Sequence, residues 1–347
     1  MPRRGPFHLA DQVIAPGTRR TVELPVSTLS DHTPVSMSVH VVHGKKPGPV
    51  MFVSAAIHGD EVIGVEIVRR LLRSAPLNAL SGTLLAVPIV NTFGFLNHSR
   101  YLPDRRDLNR CFPGSSGGSL AARLANIFME EIVVRSDFGV DLHSAAIQRS
   151  NLPQVRVSPG NARTMQMADV FGAPVILTSK LRDGSLRLAA QERGVDMLLY
   201  EAGEGLRFDE SAARHGLSGI LRVMRELGMI SSRGVARPQV KPIRCNRSTW
   251  ERAPAGGLLR TYRNIGDIVE EGALLGVLSD PFGEIETDVI ATTGGIIVGR
   301  TNLPVVNEGD ALFHVAQLPN LELAGQKMDA MSEQLEADPL FDEDEII

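Results

Sequence analysis

Four places along the chain set ionisable or hydrogen-bonding side chains directly behind apolar runs. They are His58-Gly59-Asp60-Glu61, the stretch from Asn91 to Arg110, Asp141-Leu142-His143, and Glu201-Ala202-Gly203. His58 and Glu61 form an H-x-x-E pair, a spacing that lets an imidazole and a carboxylate approach one cation from a single turn. His143 offers a third ligand from another part of the chain. Two His and one Glu, with water in the fourth position, form a known catalytic zinc set. The H-x-x-E spacing alone arises by chance, and a lone His58 fits a capping or core histidine. Its weight comes from the three other polar clusters at matching positions. One Zn2+ per chain is the expectation.

Such a metal activates water and polarises a carbonyl oxygen. A carboxylate must then take the water proton and hand it to the leaving amine. Glu201 follows the apolar run Met197-Leu198-Leu199-Tyr200, so it is the candidate, with Glu204 as the nearby substitute. The loop from Arg100 to Arg110 also holds Arg105 and Arg106. Guanidinium groups beside a metal can clamp a substrate carboxylate and stabilise an oxyanion. The alternative for this loop is a solvated basic surface.

These clusters need a frame. In an open α/β sheet, ligands bind beyond the carboxyl ends of the strands. Strands are predicted at residues 50–57, 83–90, 138–142, 175–177 and 195–200. Helices are predicted at 61–72, 119–134 with Ser119 as N-cap, and 211–227. Residues 21–43 alternate as a β-hairpin around Ser30-Asp31-His32, and Lys45 to Pro49 reads as a break. The fold class is therefore α/β: a mixed, mostly parallel sheet flanked by helices. Short β runs and Gly-rich turns follow Arg237-Pro238, and the stretches at 264–269 and 307–312 echo each other. They predict a small C-terminal all-β, barrel-like domain. The expected division is 1–236 for the α/β domain, 237–320 for the β domain and 321–347 for an acidic, disordered tail.

Composition narrows the function. The chain has 347 residues, enough for a large core, and a net charge of −4. Seven acidic residues from Glu333 onward have no basic partner, so the rest carries +3. That is no case for nucleic-acid binding. No apolar run is long enough to span a bilayer, which excludes a membrane partner. Two cysteines cannot build a disulfide framework, and no signal-like segment follows Arg3 and Arg4. A cytoplasmic location is expected.

Four pieces, HGDE at 58–61, DLNRCFPG at 107–114, DLH at 141–143 and EAG at 201–203, resemble the succinylglutamate desuccinylase/aspartoacylase family. That family is a branch of the zinc carboxypeptidase-like fold, and the likeness covers roughly residues 45–230. The resemblance implies that His58, Glu61 and His143 bind zinc and that Asn109 and Arg110 hold the substrate carboxylate. It implies Glu201 as general base and Asp141 as a residue orienting a ligand histidine. It implies Arg100 at the scissile carbonyl, with Arg105 or Arg106 as substitutes. The C-terminal part resembles the small β domain found in this family, which is similar to the biotinyl/lipoyl carrier fold. No lysine lies between Ile265 and Ala316, so a carrier role is rejected.

The leading reading is a zinc-dependent amidohydrolase acting on a small-molecule N-acyl amino acid, a carbon–nitrogen bond of a linear amide. The same constellation fits a metallocarboxypeptidase that trims peptides or a protein C-terminus. A third reading is a non-catalytic, metal-bound scaffold. The β domain is also a candidate contact for a homo-oligomer, although no motif specifies one.

Overall fold

A computed structural model describes residues 4–238, 240–318 and 320–336. Strands β1 (Thr18–Thr28) and β2 (Pro34–His43) form the expected hairpin, followed by β3 (Lys46–Ala55), α1 (Ile63–Arg73) and β4 (Ser81–Val87). Next come α2 (Leu120–Phe128), β5 (Phe138–His143), β6 (Arg149–Val157), α3 (Ala162–Phe171), β7 (Val175–Thr178), α4 (Leu186–Glu192), β8 (Asp196–Gly203) and α5 (Glu210–Glu226). The strand order is β6-β8-β5-β3-β4-β2-β1. Pairing is parallel from β4 through β3 and β5 to β8, and antiparallel at both flanks.

The alternation of side chains explains why both faces are covered. Met51, Val53 and Ala55 of β3 pack with Ile63, Ile67 and Leu71 of α1, while Phe52 packs on the opposite face with Phe128 of α2. A strand buried on both sides reads as a continuous apolar run, as residues 50–57 do. α1 puts Ile63, Ile67, Val68 and Leu71 on one buried face, with Glu66 in its first turn and Arg70 and Arg73 in its last. Those charges suit the helix dipole.

Beyond α5 the chain continues into a C-terminal region of antiparallel sheet. β9 (Ile243–Cys245) adds in parallel beside β7. β15 (Ala311–Gln317) pairs with β10 (Ser248–Arg252) on one side and with β14 (Gly295–Thr301) on the other, and β14 joins the edge of β6. A second sheet contains β11 (Gly257–Thr261), β12 (Leu274–Ser279) and β13 (Glu286–Ile290). The architecture is thus a mixed α/β sheet flanked by helices, with antiparallel β structure at its C-terminal end.

Four local expectations differ. Residues 46–49 begin β3 instead of breaking the chain, and the pairing with β4 absorbs them in a bulge between Lys46 and Val50. The helix expected over 119–134 has its Ser119 cap, but after Phe128 it widens into a π turn, Met129–Val133. β8 runs on to Gly203, so Glu201 lies inside the strand. Residues 321–336, expected within a disordered tail, form helix α6 (Leu321–Glu336), whose Ala324 and Met328 join an apolar cluster that also contains Val298 and Ala316. The rest of the acidic tail lies outside the described residues. Among the described residues, no helix is long and apolar enough to cross a membrane.

Candidate active site

The central parallel strands deliver three side chains to one point. β3 ends at Ala55, Ala56 turns with φ 51°, and the chain drops to His58. Gly59 lies on the backbone of the short helix Thr92–Leu96: a Cβ there would come within 1.9 Å of the Gly94 carbonyl carbon. Only glycine allows that approach, and its N–H donates to Ser99 O at 3.0 Å. β5 is the parallel neighbour of β3 and ends on His143.

Glu61 sits between the two imidazoles. Its Oε1 is 2.7 Å from His58 Nδ1 and its Oε2 is 2.8 Å from His143 Nδ1. All three side chains are buried, and their donor atoms lie within 4.8 Å of one another. The far ring nitrogens are also tied. His58 Nε2 is 3.1 Å from Asp107 Oδ1, and His143 Nε2 is 2.7 Å from Asp141 Oδ2. Asp141 is itself held by Ser54, whose hydroxyl donates at 2.7 Å. With the ring proton on Nε2, each imidazole donates to its carboxylate and leaves Nδ1 for a cation. Carboxylates behind ligand histidines fix that tautomer and orientation. The donor set therefore fits a metal ion of the zinc type, two nitrogens and a carboxylate.

The electrostatics agree. Burial opposes charge on His58, but Glu61 and Asp107 hold its pKa above the ordinary value. Burial likewise opposes charge on His143, and Asp141 and Glu61 raise it well above that value. Burial alone would raise the Glu61 carboxyl, yet the two imidazoles hold it well below the usual carboxylate range. Negative charge is thus concentrated where a cation would sit, and protons compete for the same nitrogens.

A cavity of about 410 Å³ opens beside these residues. Arg100, Asn109, Arg110 and Glu201 line it. Arg100 reaches Glu61 Oε1 at 3.3 Å and Asp107 Oδ2 at 3.0 Å. Asn109 accepts the Leu186 N–H through Oδ1 at 2.9 Å, which leaves its NH2 group for other partners. Glu201 is the β-sheet partner of His143. Its Oε2 accepts from Asn151 Nδ2 at 2.6 Å, and its Oε1 is 3.3 Å from Arg156 NH1. Arg105 and Arg106 do not line the cavity; both are exposed, and Arg106 faces Asp104 at 3.8 Å. Glu204 ties loops together instead, accepting from Gln148 N at 2.9 Å and Asn302 Nδ2 at 3.0 Å.

Asn151 and Arg156 on β6, Arg187 on α4, and Trp250 on β10 are among the lining residues that no sequence motif marks. Arg187 is buried, and its NH1 has no hydrogen-bond partner among the described residues. Burial and the adjacent Arg156 push its pKa down to about 10. The Arg187 NH2 donates to Ser179 Oγ at 3.1 Å and to Lys180 O at 3.2 Å, so NH1 is the part of this buried cation open to an anion. Trp250 stacks on His314 at 4.6 Å and carries the Arg149 guanidinium 5.5 Å above its ring. The polar–apolar alternation Gln154-Val155-Arg156-Val157 is the signal that could have revealed β6, and the chain's single tryptophan the one for Trp250.

The catalytic-domain model of the succinylglutamate desuccinylase/aspartoacylase family matches residues 47–227. Over 309 residues the chain is 25% identical to an N-alpha-acetyl-L-2,4-diaminobutyric acid deacetylase of Halomonas elongata, covering 86% of this chain and 90% of that one. A crystal structure described as succinylglutamatedesuccinylase/aspartoacylase from Rhodobacter sphaeroides superposes with a TM-score of 0.76 at 25% identity, over 86% of this chain and 95% of that one. The product-bound ectoine utilization protein EutE (DoeB) of Ruegeria pomeroyi shares the fold, with a TM-score of 0.78 at 22% identity, over 90% and 98% of the two chains.

Proposed function

The chain belongs to the succinylglutamate desuccinylase/aspartoacylase family, and we propose that it is a zinc-dependent amidohydrolase that releases the amine of an N-acyl amino acid. The observation that carries this reading is the arrangement around Glu61. Two imidazole Nδ1 atoms converge on its carboxylate, and their Nε2 atoms are anchored by Asp107 and Asp141. The deacetylase activity in the name of the Halomonas relative supports the same bond type.

His58, Glu61 and His143 hold the zinc, which when bound makes water a better nucleophile and polarises the acyl carbonyl. Glu201 takes a proton from the attacking water and returns it to the amide nitrogen, so that the amine can leave. Its position beside His143 in the sheet supports this role. Arg100 stabilises the oxygen of the carbonyl as negative charge develops. Arg100 is favoured over Arg105 and Arg106 because it alone of the three lines the cavity. Asn109 and Arg110 hold the substrate carboxylate, and Asp141 keeps His143 in its ligand tautomer. A cavity of about 410 Å³ suits a small molecule better than an extended peptide.

The test is amine release from a panel of N-acetyl, N-succinyl and N-formyl amino acids and short peptides, with a chelated sample as control. Chelator-sensitive release from one N-acyl class supports the proposal and names the acyl group. Release from peptides alone replaces it with a carboxypeptidase. Silence without bound metal sinks it.

A further inference from the structure

Asn151 is a buried polar side chain on β6, 7% exposed, and its Nδ2 donates to Glu201 Oε2 at 2.6 Å. Arg156 NH1 stands 3.3 Å from the other oxygen. Oε2 is thus held by a hydrogen bond and Oε1 faces a cation, and each oxygen keeps a lone pair for a proton. The opposite edge of β6 is shared by β7, along residues 154–157, and by the C-terminal region, along residues 149–151. There β14 runs antiparallel and sets Gly299 directly across from Asn151. β14 shifts register between Ile297 and Gly299 in its pairing with β15, as at a bulge.

Gly299 has no left-handed backbone, so its conformation is open to any residue. Space is what demands glycine. A Cβ at 299 would lie 2.8 Å from Asn151 Oδ1, closer than real Cβ contacts allow. Relief would require the Asn151 amide to turn, and that turn would carry Nδ2 off Glu201.

We infer that Asn151 is a positioning residue that aims the Glu201 carboxylate, and that Gly299 of the C-terminal region keeps open the space in which Asn151 does so. This rests on the role proposed above for Glu201. A general base must lie within hydrogen-bond reach of the proton it accepts, and a misaimed one loses rate without losing substrate. The C-terminal region thereby acts on the chemical step although none of its residues need touch the reacting atoms.

The test is a double-mutant cycle of Asn151→Ala, Gly299→Ala and the pair, with kcat, KM and metal content measured on the full chain. Each single variant is expected to lower kcat by about tenfold to a hundredfold, the size of effect that small misplacements produce. KM and metal content stay within about twofold, as for an effect confined to the transition state. The double variant should be no slower than Asn151→Ala, because the added methyl then has no amide to strike. Multiplied penalties in the double variant, or a Gly299→Ala enzyme as fast as wild type, overturn the inference. A crystal structure of Gly299→Ala gives a reading without substrate. Nδ2 beyond hydrogen-bond reach of Glu201 supports the inference, and an unmoved amide overturns it. A wild-type protein that releases no amine would sink the hydrolase reading, while that structure still judges the contact.

Discussion

The α/β half of the molecule presents its chemistry at strand ends, whereas the C-terminal β region presents walls and backing. His58 and His143 follow or end adjacent parallel strands, and Asp141 is locked to Ser54 across the same pair. A parallel ladder with both faces buried leaves these groups little freedom. The C-terminal region offers none of the three proposed ligands. It extends the sheet through β14, brings Trp250 to the cavity and leaves a gap at Gly299 behind Asn151. The difference teaches that the two halves should fail differently: the first in metal or proton transfer, the second in aim and fit.

The largest effect sharpens the first half. Glu201→Gln should cut kcat by about a thousandfold while zinc content stays at the wild-type level, since an amide cannot accept the proton. Steady-state kinetics and metal analysis on one sample check both parts. Asp141→Asn comes next, with zinc affinity expected to fall about tenfold to a hundredfold in a competitive chelator titration. Affinity should also fall with pH in the wild type, because both imidazoles bind protons more tightly than usual and must release them to a cation.

The second half predicts smaller changes. Trp250→Ala removes the shelf under Arg149 and should raise KM by about threefold to tenfold, with kcat nearly intact, a cost typical of a lost cation–π contact. A collapse of kcat in this variant would break the distinction between the halves. The smallest effect concerns His314. Burial, with Arg156 nearby, pushes its pKa down to about 3 from the ordinary 6.5. The unfolded chain takes up a proton that the fold refuses. Its contribution to stability is therefore complete above pH 6.5 and is lost as pH falls toward 3. His314→Gln should narrow the drop in Tm between about pH 7 and about pH 5, read by calorimetry.

The contrast also marks what the sequence makes legible. His58, Glu61, His143 and Glu201 stand out because chemistry-bearing types follow or close the apolar runs of β3, β5 and β8. Those runs are local signals. β6 has no such run: Arg149, Ser150, Asn151, Gln154 and Arg156 interrupt it because several of them serve the cavity. The partner of Asn151 is Gly299, far along the chain, and no short-range pattern announces a nonlocal pairing. α6 was hidden by composition. Acidic bias suggested disorder, while Ala324 and Met328 supply an apolar face that packs on the C-terminal region. The dense arginine loop at 100–110 is visible as a cluster, but which arginine enters the cavity depends on its turns. Arg105, in a left-handed turn, does not line the cavity, and Arg100, anchored by Glu61 and Asp107, does.

The most direct test of the central claim is zinc content per chain, measured with amine release, for the wild type and Glu61→Ala purified side by side. A zinc site built on Glu61 predicts a single zinc in the wild type, nearly none in the variant, and activity that vanishes with the metal. A Glu61→Ala protein that keeps a full zinc and turns over at the wild-type rate would contradict it.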